Sequence, residues 1–162
     1  KKKFEMVIRQ KLLNPMQMTK TSFANLDGSA PNPSGGAVST ANDYMKFLTM
    51  LLNNGMYNGK RILSEESVQE IRKIQIAPEL MKYSPKTADG FRYALGSWSI
   101  EEKDGVASAL TSPGLLGTFP VVDWCHGYAC LFFVKTLLNE QKKDAYLQMK
   151  DAIDEELKSK CE

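Results

Sequence analysis

His126 is the only histidine of the chain, with Cys125 beside it and Cys130 four residues on. Histidine and cysteine are the usual ligands of zinc, and histidine is also the usual proton shuttle. A zinc site would need a third and a fourth ligand that this stretch does not supply, so no metal is expected. Three cysteines cannot all pair within one chain, and the expectation is two half-buried thiols beside a turn rather than a disulfide framework. A Ser-His-Asp triad would have to use His126, yet no G-x-S-x-G elbow is present to supply its serine. His126 therefore reads as a solvated turn residue. Residues 107–123, ASALTSPGLLGTFPVVD, pose a different question. They have the composition of a strand, but Ser112-Pro113-Gly114 interrupts them with a residue that cannot donate to a ladder and one that packs nothing. Two readings fit: a bulge on an edge strand, or a strand that lines a cleft and presents bare backbone to a ligand.

The remaining candidates have plainer readings. Gly35-Gly36 lacks the spacing of a nucleotide loop and suits close chain packing. Asp43 reads as a helix-start charge, Asp123 as a hairpin residue, and Trp98 and Trp124 as core or rim packing. The chain carries 21 basic and 19 acidic residues, and the basic ones are scattered, so nucleic acid is not an expected partner. At 162 residues and 43% hydrophobic composition it can bury a core of its own. It has no apolar run near the roughly 18 residues that cross a membrane.

Apolar periodicity marks the elements that would position these residues. Phe4, Val7, Ile8 and Leu12, with Met6, share one face of a helix that Pro15 stops near Leu13. Residues 14–36 read as loop. Thr40 caps a helix carrying Tyr44, Phe47, Leu48, Leu51 and Leu52, which Asn54-Gly55 ends. Asn58-Gly59 marks a hairpin turn, and Ser64 caps a second helix with Val68, Ile71, Ile74 and Ile76 on its buried stripe. From Phe91 the period becomes that of strands, with turns at Asp104-Gly105 and Cys125-His126-Gly127. LFFV, residues 131–134, is apolar on both faces and reads as a central strand. A charged helix follows with Tyr146, Met149, Ile153 and Leu157 on one face. The chain thus divides into 1–90, mostly helices and loops; 91–138, antiparallel strands; and 139–162, a C-terminal helix. The fold class is α+β, in a single partial domain.

Several fragments in register resemble one family, the serine β-lactamase-like hydrolases, which include class C β-lactamases, penicillin-binding proteins and related esterases. LNPMQMTKTSF, residues 13–23, is similar to that family's L-x-P-L-G-M-x-x-T-x-F segment, with Met16 and Gln17 in place of Leu and Gly. GGAVSTANDYMKFLTMLLNNG, residues 35–55, is similar to its G-G-x-x-S-T-x-x-D-x-x-x-F segment, and NGKRILSEESV matches the stretch that follows. The resemblance covers nearly the whole chain. It implies an α/β/α sandwich and, in an intact parent, an acyl-enzyme attack on a small amide or ester without a cofactor. It also implies that Ser112-Pro113-Gly114 stands where the family's Lys/His-Thr/Ser-Gly triplet walls the cleft. Ser112, Pro113, Gly114 and Leu115 would then bind substrate, with the Leu115 N–H as an oxyanion donor.

The chain departs from the family in three places. No serine has lysine three residues on, so the Ser-x-x-Lys nucleophile motif is absent, and Tyr-x-Asn is absent as well. Ser112 replaces the basic residue of the third motif. Both missing motifs precede the L-x-P-L-G-M region in the family. The expectation is therefore a C-terminal part whose nucleophile lies on a preceding segment, inactive alone, exported like many relatives, and able to self-associate through uncovered apolar surface. The alternative is a non-catalytic module that binds a ligand or partner on the same scaffold.

Overall fold

A computed structural model describes residues 3–25, 27–76, 78–114, 116–134 and 143–161. Helix α1 covers Phe4–Ile8 and passes directly into a π-helical turn over Arg9–Leu13. The wider turn interrupts the expected apolar face: Phe4, Met6 and Val7 are exposed, while Leu13 is buried. Helix α2, Ala41–Leu52, starts as its sequence dictates, with the Thr40 side chain accepting from the Asp43 N–H at 3.2 Å. It stops at Asn54 and Gly55, both at positive φ. Glycine is required at 55, because a Cβ there would stand 2.2 Å from the Leu63 carbonyl oxygen. Short strands β1, Met56–Tyr57, and β2, Lys60–Arg61, form the hairpin around Asn58-Gly59. Helix α3, Glu65–Arg72, is capped by Ser64, which accepts from the Ser67 N–H. It ends before Ile74 and Ile76, which lie in extended chain: the Ile74 N–H donates to Gly105, and Ile76 forms a bridge to Tyr93.

Five strands follow as an antiparallel meander in chain order: β3 Arg92–Tyr93, β4 Trp98–Lys103, β5 Val106–Thr111, β6 Phe119–Asp123 and β7 Tyr128–Phe132. The Asp104-Gly105 turn joins β4 to β5, and residues 124–127 join β6 to β7. Side chains alternate across the sheet as the pleat requires. Val122, Ala129 and Leu131 face the cluster built by α2, α3 and the turns around Leu13 and Met16. Phe119, Val121, Cys130 and Phe132 face Tyr146 of helix α4, Lys143–Glu155. The result is the expected helix–sheet–helix sandwich of α+β class.

Four expectations need correction. The strand holding Leu131 and Phe132 is an edge of the sheet among the described strands, not a central strand. It is apolar on both faces because α2 covers one and Tyr146 the other. The Pro-Gly break is not an edge-strand bulge either: it falls in the connection between β5 and β6, each of which has a strand on both sides. On α4 the buried residues are Tyr146 and Lys150, whereas Met149 is 41% exposed; Leu157 lies beyond the helix end and is 38% exposed. Finally, Cys125 is bonded to Cys161 across 36 residues, with Cα atoms 5.1 Å apart, and only Cys130 remains a free thiol. The pairing joins the end of the chain to the β6–β7 turn, a contact invisible to sequence spacing.

Candidate functional site

The Leu13–Phe23 stretch folds back along α2, and one buried carboxylate holds it there. Asp43 accepts from the Lys20 N–H at 2.8 Å, from the Thr21 hydroxyl at 3.1 Å and from Lys46 Nζ at 2.8 Å. Burial pushes its pKa up, but these donors outweigh burial and hold the carboxyl below its ordinary value. Asp43 is thus a fixed anion that ties the loop to the helix, more than the helix-start charge its position suggested. Thr21 also shares a hydrogen bond of 2.7 Å with Ser39. The Ser22–Val38 bridge completes the seam.

This seam opens into a cavity of about 560 Å³. Leu13, Met18 and Phe23 form one side, Gly35, Val38 and Phe47 the next, and Gly114 and Thr118 the third. Three stretches far apart in sequence thus meet around one space. Its walls are mainly apolar, and among the described lining residues the only ionisable side chain is Tyr44. Burial pushes the Tyr44 phenol up, so it stays neutral.

Gly114 lines the cavity, whereas exposed Ser112 and half-buried Pro113 do not. Leu115 lies outside the described residues. The Gly114 N–H is not free: it donates to the Thr118 carbonyl at 2.7 Å, and the Gly117 N–H donates back to the Gly114 carbonyl at 2.9 Å. A Cβ at Gly114 would meet the Thr118 Cβ at 3.3 Å. The Tyr146 hydroxyl reaches across from α4 and donates to the Gly117 carbonyl at 2.7 Å. Gly36 lies where a Cβ would be 2.7 Å from the Asn32 carbonyl oxygen and so serves close chain packing, while Gly35 lines the cavity. Sequence reasoning placed Tyr44 and Phe47 on the apolar face of a helix and passed over Thr118.

His126 is set apart from this cavity. Its Nδ1 is 3.1 Å from Asp123 and 3.5 Å from Asp154, with a side chain only 15% exposed, so it is not the solvated turn residue expected. Asp123, His126 and Asp154 bring ligand atoms within 4.8 Å of one another. The Lys150 ammonium already occupies the centre of negative charge, 3.0 Å from Asp123, 2.5 Å from Asp154 and paired also with Glu101. Burial pulls the Lys150 pKa down, but its three carboxylate partners outweigh burial and raise it. Burial likewise pushes Asp123 up, and hydrogen bonds from His126 and Lys150 reverse that. The Cys130 thiol, pushed up to about 11 by burial, is no nucleophile at neutral pH. Trp98 packs edge-on to Tyr93, and Trp124 lies under the Arg72 guanidinium, both as rim packing.

No family model matches the chain. It is 34% identical over 117 residues to protein Rv1367c of Mycobacterium tuberculosis, a match covering 69% of this chain and 27% of that protein. Among solved structures, a protein from Bacteroides dorei classed as a β-lactamase superimposes with a TM-score of 0.74 at 26% identity, over 94% of this chain and 52% of the other. The chain has the β-lactamase fold over 94% of its length. A β-lactamase from Mycobacterium bovis shares the fold with a TM-score of 0.72 at 19% identity, covering 95% of this chain and 56% of its own. Simvastatin synthase LovD from Aspergillus terreus does so with a TM-score of 0.66 at 19% identity, covering 92% and 48%. This β-lactamase-like chain therefore spans about half the length of the solved relatives and about a quarter of the curated one.

Proposed function

We propose that this chain forms, as one partial domain, the wall of the substrate cleft in a β-lactamase-like serine hydrolase. The intact parent would open a small amide or ester through an acyl-enzyme intermediate. The observation that carries this reading is the convergence of residues 13–23, residues 35–55 and the Gly114 turn on a single cavity. Gly114 supplies a wall without a side chain, against which a flat acyl group can lie. The neutral hydroxyls of Thr21, Ser39 and Thr118 offer polar contacts at its edge. No nucleophile is assigned here, because no serine of the chain has a lysine three residues on. Leu115, whose N–H the resemblance marks as an oxyanion donor, takes no part in this reading. The reaction in this proposal draws on no cofactor or metal.

A chromogenic β-lactam and a p-nitrophenyl ester, assayed on the full-length protein that contains this chain, test the proposal. Gly114→Val fills the wall and is expected to lower kcat/KM at least about tenfold, the scale set by misplacing a bound substrate. Unchanged turnover by that variant would remove Gly114 from the cleft.

A second reading is a binding module without catalysis. It is favoured by one observation: Ser112 stands in place of the family's basic residue, and no cation lines the cavity among the described residues. Full-length protein that binds such an ester but leaves it intact would select this reading.

A further inference from the structure

Helix α4 lies on the face of the sheet opposite α2, and nothing in the sequence connects it with the cavity. One side chain makes the connection. The Tyr146 ring stacks on the neighbouring Phe119, at 4.8 Å, and Phe132, at 5.6 Å, which form a cross-strand pair on the sheet face beneath it. Its buried hydroxyl donates to the Gly117 carbonyl. Gly117 holds φ +87, a left-handed conformation that favours glycine, and its N–H closes on the Gly114 carbonyl. The Gly114 N–H in turn closes on the Thr118 carbonyl, and Gly114 and Thr118 both line the cavity. The helix that carries Tyr146 is itself held at its other end. Lys150 is anchored by Glu101, Asp123 and Asp154, and the Cys125–Cys161 disulfide and the Lys160 N–H to Cys125 carbonyl bond fasten the tail to the β6–β7 turn.

We propose that Tyr146 is a positioning residue for the cleft: its hydroxyl fixes the Gly117 carbonyl and thereby the orientation of Gly114 and Thr118. The role rests on the reading of the cavity as the substrate cleft, but the hydrogen bond and the turn it sets do not. A buried hydroxyl on a ring stacked against the sheet, with its one donor spent on a turn carbonyl, is a specific solution. Phenylalanine would fill the same space without constraining the turn.

The test is Tyr146→Phe, which keeps the ring stack and removes only the oxygen. In the variant the Gly117 carbonyl carbon resonance is expected to move upfield. Amide exchange at Gly114 and Gly117 should accelerate about tenfold, the scale of one lost buried hydrogen bond. The amides of Val121 and Val122, in the β6 ladder, should exchange as before. Ser64→Ala, which removes the α3 cap, serves as a control that lowers stability without touching the turn. It should leave the Gly117 resonance in place. An unmoved Gly117 resonance in Tyr146→Phe, or uniform acceleration across β6, would overturn the positioning role. These readouts need no turnover, so failure of the hydrolase reading in the ester assay leaves this result separately interpretable.

Discussion

Lys150 shows how strongly a single residue can be committed in this fold. It is 1% exposed and meets three carboxylates, two of which also approach His126. Replacing it by methionine keeps the stem packing but leaves Asp123, fully buried, without its cation. A loss of about 3–5 kcal/mol is expected in urea unfolding, the usual cost of breaking a buried ion pair from one side. The pH dependence follows from the directions of the shifts. Asp123 titrates below its ordinary 3.8 in the folded chain, so its contribution is complete above that value and is lost as pH falls through the lower folded value. Lys150 titrates above its ordinary 10.5, so its contribution is complete below 10.5 and is lost only at higher, strongly alkaline pH. Wild-type stability minus that of Lys150→Met should therefore stay level between about pH 4 and 10 and shrink under acid. A difference that instead shrinks near neutral pH would contradict this assignment. Gly117 makes a smaller case: Gly117→Ala forces a side chain into φ +87 and should cost about 1–2 kcal/mol.

Among the elements, the turns and caps were the most legible part of the sequence. Asn58-Gly59 and Asp104-Gly105 occupy two-residue hairpins at positive φ, and Thr40 and Ser64 cap α2 and α3, because each of these depends on residues within four positions. What depended on distant partners was not legible. The apolar faces of Leu131 and Phe132 gave no sign that the strand is an edge, since helices on both sides impose the same composition as neighbouring strands. The stripe of α4 was misread at Met149 because Lys150 is buried through charges on β4, β6 and its own next turn. The cavity was legible only as family resemblance, and its contact with α4 through Tyr146 was not legible at all. The disulfide belongs to this scale too. Cys161→Ser opens a link across 36 residues and should cost about 2–4 kcal/mol by thermal unfolding. Because the link holds only the end of α4, exchange should rise first in residues 150–161 and last in β5 and β6. Equal acceleration in all elements would contradict that placement.

At the scale of the molecule, two helix layers enclose a sheet whose β7 edge has no partner among the described strands. Phe4, Met6, Val7, Val38 and Phe133 are exposed on the same chain. An open edge and exposed apolar side chains each favour association with another chain. The chain alone is expected to self-associate with rising concentration, and light scattering that reports a monomer throughout would count against this. The more basic claim is a division of labour, in which these residues build the cleft wall and the attacking serine is not among them. Intact-mass spectrometry of the isolated chain after incubation with a penicillin tests that claim most directly. The account predicts an unchanged mass, and a stoichiometric acyl adduct on any serine of this chain would contradict it.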